Sequence, residues 1–169
     1  MGPETLQELR GRLRAVDEDL LRALDALART DRRPTPEEWT LFDSRLPPPP
    51  IQALLAALPK PPENAPSKAP AQTILHHALR QRQQLAVAIA EQKAAAHPHD
   101  VRAALEKADR DTLLSLLTDL PAELQVLEHI RKAAERTASS LSPALAAFLW
   151  REHLIPWAKQ TEVEHLLQP

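Results

Sequence analysis

Eleven of the 17 prolines fall between Pro34 and Pro70, four of them in an unbroken run from Pro47 to Pro50. Proline fixes φ and lacks an amide hydrogen, so this stretch cannot be one helix and is expected to run extended over the surface. Elsewhere helix breakers are scarce, with glycine only at positions 2 and 11. Alternating β-branched runs and hairpin dipeptides, the ordinary signals of strands, are also missing. These constraints predict an all-α chain: a helical bundle of about four main helices with short accessory helices and a proline-rich extended loop. One domain is expected over 1–169, with 31–72 as an insert within it.

Helical spacing of apolar residues locates the elements. Leu6, Leu9, Leu13, Val16, Leu20, Leu24 and Leu27 form one stripe of a long first helix, with Arg10 on its flank. Inside the proline-rich segment, Thr35-Pro36-Glu37-Glu38 has the pattern of a capping box, and the apolar run from Ile51 reads as a short docked helix. A second long helix carries Leu75, Leu79, Arg82, Ala86, Ile89 and Lys93 on one face. After a break at His97-Pro98 come two shorter helices, VRAALEKA and DRDTLLSLLT. Asp119 with Pro121 opens a helix to about Thr137 whose inner face runs Glu123, Leu127, Ile130 and Ala134. Ser142-Pro143 caps the last helix, whose face is expected to carry Phe148, Ile155, Ala158, Glu162 and Leu166, with a bend at Pro156.

Composition excludes several function classes. A formal net charge of -2 and 3% aromatic residues argue against nucleic-acid binding. The two glycines cannot build a Gly-rich phosphate loop, so no nucleotide cofactor is expected. Without cysteine there is neither a disulfide framework nor a thiolate metal site, and the seven histidines lack the carboxylate spacing of metal ligands. No run of about 18 apolar residues implies a membrane span. No basic-then-apolar leader opens the sequence, so a cytoplasmic protein is expected, or a secreted one already processed.

What remains is the pair of cations on an apolar stripe. Arg82 and Lys93 are three turns apart, roughly 16 Å along one helix, close enough for long side chains to converge on a ligand between them. A buried cation is costly unless paired. Either Glu123 and Glu162 neutralise these two as an interior ion network, or an anionic ligand such as a dicarboxylate does. Arg10 lies near Glu4 and Glu8 and is open to a surface pair, and Asp119 is open to a role as a cap alone.

Five segments of the chain resemble the yeast-and-plant type of chorismate mutase. ADRDTLLSLLTDLPAE is similar to the family's QDRDALMELLT, the stripe helix to LQALSKRIHYGKFVAEAKF, and IPWAKQTEVEHLL to IPLTKEVEVEYLL. ELRGRLRAVDEDLL is similar to IRxxLIxLEDxII, and DSRLPPPPIQALLAAL to the family's proline-rich loop. The resemblance implies rearrangement of chorismate to prephenate in one pericyclic step without a cofactor. It further implies that Arg10 and Arg82 hold the substrate's carboxylates and that Lys93 reaches a carboxylate and the ether oxygen. Glu123 and Asp119 would serve the ring hydroxyl, and a protonated Glu162 would donate to the ether oxygen.

Two departures from the family bear on these expectations. Its threonine is Ala158 here, which removes a hydroxyl from the substrate-binding set. Arg10 and Arg82 are only 72 residues apart, too few for most of the family's effector domain. No feedback by tryptophan or tyrosine is therefore expected, and a homodimer or a protein partner for the proline-rich loop stays open. Two other activities remain as alternatives: a catalytically weakened helical protein acting through protein partners, and an isochorismate pyruvate lyase using a similar anion clamp.

Overall fold

The computed structural model describes residues 4–30, 42–61, 69–137 and 140–169. Among these residues every regular element is helical. Helix α1 spans Leu6–Ala28, α2 Ile51–Ala57, α3 Ala69–Ala96, α4 Pro98–Glu106, α5 Arg110–Leu117, α6 Leu120–Arg136, α7 Pro143–Leu149 and α8 Ile155–Leu167. The expected capping box at Thr35 lies outside the described residues.

The helix starts follow local chemistry. Thr5 and Glu8 close a reciprocal capping box on α1. Asp119 caps α6 by accepting from the Ala122 amide, and Ser142 caps α7 by accepting from that of Leu145, both ahead of a proline in the first turn. Asp109 caps α5 in the same way through Thr112.

α1 and α3 form the long central pair, and α3 also packs on α8. Contact of Asp17 with Arg82, together with a cavity shared by Arg10 and Lys93, sets α1 and α3 antiparallel. α6 packs on α1, and α7 packs on α6. The main core joins the stripe of α1 to Leu75, Leu79, Leu85 and Ile89 of α3, Ile130 of α6 and Trp150. A smaller apolar cluster of Val101, Ala104, Leu113, Leu117 and Val163 packs α4 and α5 against α8.

Residues 42–61 of the proline-rich segment are better anchored than an extended surface run. Leu46 and Pro49 are buried, as are Ile51 and Leu54 of α2 and Leu58 just after it, and Trp157 Nε1 donates to the Pro47 carbonyl at 2.9 Å.

The last helix differs from its expected face. Trp150–Leu154 is a π-helical turn joining α7 to α8, with Pro156 in the first turn of α8. A π turn inserts one residue and rotates what precedes it by about a quarter turn. Phe148 is consequently off the inner face and 39% exposed, while Leu149 and Trp150 are fully buried in its stead. Ile155, Ala158 and Glu162 keep their places, because they lie on the far side of the insertion.

Candidate active site

A single cavity between α1, α3, α6 and α8 is lined by Arg10, Arg82, Lys93, Asp119, Glu123, Ala158 and Glu162. Every candidate residue named from the sequence therefore meets there, although the seven come from four helices spread over most of the chain. Leu13, Ala86, Ile89, Val126 and Ile155 provide its apolar walls.

Arg82 projects from the middle of α3 and is 2% exposed. Its Nε donates to Asp17 Oδ1 at 2.8 Å, and Nη1 donates to the Leu154 carbonyl at 3.3 Å. A guanidinium has five N–H donors, so three remain for a ligand in the cavity. With two contacts fixing the plane, the free edge presents the parallel N–H pair that suits a carboxylate.

Lys93 stands three turns further along α3. Its ammonium donates to the Leu117 carbonyl at 2.6 Å and to Glu162 Oε2 at 2.9 Å, which leaves one of three protons for a ligand. Burial pushes the Glu162 carboxyl above its ordinary range, against the opposing charge of Lys93 and, more weakly, Arg82. Glu162 is thus the group in the cavity best placed to hold a proton.

Arg10 reaches across the bundle to Asp119 Oδ2 at 2.5 Å and does not pair with its own helix. The acids near it are otherwise engaged, Glu8 with Thr5 and Glu4 with Arg12. Asp119 is both a cap and a cation partner: its Oδ1 accepts from Ala122, and this amide, then Arg10, holds its carboxyl below the usual range. Glu123, one turn into α6, pairs with Lys159 at 3.1 Å.

An interior ion network is present, but its pairing differs from the expected one. Glu162 does meet Lys93, whereas Arg82 is matched by Asp17, and Glu123 by Lys159. Neither Asp17 nor Lys159 was singled out in the sequence. A signal for Asp17 existed: it stands four residues after Leu13 and three before Leu20, an acid on the apolar stripe of α1. Lys159 follows Ala158 in α8 and also lines the cavity, but had no comparable mark.

No protein-family model matches the chain, and no curated protein does. Solved structures do. The chorismate mutase Aro7p of Candida albicans, crystallised in complex with L-Trp, is 15% identical, with a TM-score of 0.75 over 98% of this chain and 93% of that one. AtCM1, with phenylalanine bound in its allosteric site, is 19% identical, with a TM-score of 0.74 over 97% of this chain and 96% of that one. The chloroplast chorismate mutase of Zea mays is 20% identical, with a TM-score of 0.75 over 96% and 94%. Over nearly its whole length, this chain has the all-α fold of the chorismate mutases.

Proposed function

We propose that the chain is a chorismate mutase, rearranging chorismate to prephenate without a cofactor. The observation that supports this reading is the convergence of all seven resemblance-derived positions on one cavity whose cations keep unused donors. The reaction is unimolecular: the ether carbon–oxygen bond breaks as a carbon–carbon bond forms, and no atom leaves. The protein's part is to hold the folded conformer and to stabilise charge as it shifts.

In this reading the free edge of Arg82 takes one substrate carboxylate and Arg10 the other, with Arg10 exchanging part of its bond to Asp119 for the ligand. Lys93 donates a hydrogen bond through its third N–H to the ether oxygen, which gains negative charge as its bond to carbon breaks. That contact strengthens in the transition state and therefore accelerates the step. A protonated Glu162 donates to the same oxygen. Glu123, fixed by Lys159, accepts from the ring hydroxyl.

Three of the solved neighbours were crystallised with tryptophan, phenylalanine or tyrosine bound; we infer that this chain works without such regulation, since its span between Arg10 and Arg82 is short. The test of the main reading is loss of chorismate absorbance with purified protein, with the product identified. Prephenate formation, abolished in Arg82→Ala, is the expected result. Pyruvate as product would replace the mutase by a lyase, and no turnover by folded protein would move attention to protein partners.

A further inference from the structure

Five cations line the cavity: Arg10, Arg14, Arg82, Lys93 and Lys159. Four are matched one to one by acids, through Arg10–Asp119, Arg82–Asp17, Lys93–Glu162 and Lys159–Glu123. Arg14 has no hydrogen bond or ion pair among the described residues. It is exposed at the rim, one helical turn beyond Arg10 on α1 and so on the same side of the helix.

Five cations against four acids leave one positive charge, and Arg14 is the residue that carries it. In the similar motif IRxxLIxLEDxII, the position of Arg14 is isoleucine, so this cation is a feature of the present chain and not of the pattern it resembles. The same cavity has alanine, at Ala158, where that pattern has threonine. One polar group is missing from the α8 wall and another has been gained on the α1 rim.

We infer that Arg14, the fifth cation of the cavity, is a further anion-binding residue, which captures a carboxylate of the dianionic substrate at the cavity mouth. This deepens the mutase reading and rests on it for the identity of the substrate. Each of the four matched cations must share its donors between a resident acid and the ligand. Arg14 has no such competitor, so its full charge is available to an arriving anion. Protonation of Glu162, which burial favours, brings the cavity to two net positive charges, the complement of a dicarboxylate. A rim contact of this kind acts on the bound substrate and the transition state alike, and so changes KM far more than kcat.

The test uses two readouts on the full chain and on Arg14→Ile and Arg14→Lys. The first is calorimetric titration with cyclohexane-1,3-dicarboxylate at low and high salt; the second is chorismate turnover. Circular dichroism checks folding, which this exposed, unpaired side chain is expected to leave intact. In Arg14→Ile the dissociation constant and KM are expected to rise roughly tenfold, kcat to change less than about twofold, and the salt dependence of binding to flatten. Arg14→Lys should recover most of the affinity. Equal affinity and equal salt dependence in Arg14→Ile and the parent would overturn the assignment. If the parent binds the dicarboxylate but does not turn over chorismate, the mutase reading fails while the titration still decides Arg14. A parent that binds no dicarboxylate at all refutes both.

Discussion

The Nε of Arg82 donates to Asp17 Oδ1 at 2.8 Å, and the two side chains are 2% and 1% exposed. This pair joins α1 to α3 behind the cavity, so the arginine proposed to meet the ligand is held by a carboxylate that is not part of the cavity lining. Removing either partner leaves the other buried and uncompensated.

Asp17→Ala should therefore lower stability by about 3–5 kcal/mol, read as the urea midpoint multiplied by the denaturant slope. Arg82→Ala should lose both stability and at least about 100-fold in turnover. The double variant Asp17→Leu with Arg82→Met separates the two effects, because apolar residues of similar volume regain stability without restoring activity. A parent-like urea midpoint in Asp17→Ala would show that the pair contributes little to the fold.

The pH profile reports on Glu162. Burial raises its pKa, and the proposed donor is the neutral acid, so activity is present below the raised pKa and falls as pH rises through it. Glu162→Gln stays neutral at every pH and should flatten that limb of kcat/KM. An equally steep fall in the Gln variant would assign the titration to another group.

Ala158 offers a gain-of-function test. It lines the cavity without a polar atom, where the similar motif has threonine. Ala158→Thr adds one hydroxyl and should raise kcat/KM by roughly threefold to tenfold, the value of one hydrogen bond. An unchanged or lower value would mean that this wall does not face a polar part of the substrate.

The bond from Trp157 to the Pro47 carbonyl ties the proline run to α8, one residue away from the cavity wall at Ala158. Trp157→Phe keeps the apolar packing but orphans that carbonyl, at a cost of about 1–2 kcal/mol in thermal or urea unfolding. Faster proteolysis in the proline-rich segment should accompany it. Parent-like stability and cleavage would indicate that the loop is held by Leu46 and Ile51 alone.

Aromatic amino acids should leave the rate unchanged. The check is turnover at subsaturating substrate with and without millimolar tryptophan, phenylalanine or tyrosine. A reproducible response to any of the three would establish an effector site.

Local chemistry is what the sequence by itself determined. Leucine spacing set α1 from Leu6 to Ala28, a side-chain oxygen ahead of a proline set the starts of α6 and α7, and the proline run excluded helix where none forms. Arg82 and Lys93 were legible as cations in need of partners because a cation on an apolar stripe demands one. The identity of each partner was not legible, since pairing depends on which helices adjoin and in which direction they run. Asp17 meets Arg82 only because α1 and α3 are antiparallel, and Arg10 meets Asp119 only because α6 closes on α1. Phe148 was misplaced for a related reason: one inserted residue in the π turn shifts the helical phase, and a fixed period cannot register it. Periodicity fixes which face of each helix is apolar; only tertiary packing decides which charges that face brings together, because the free energy of a buried ion pair belongs to two helices at once.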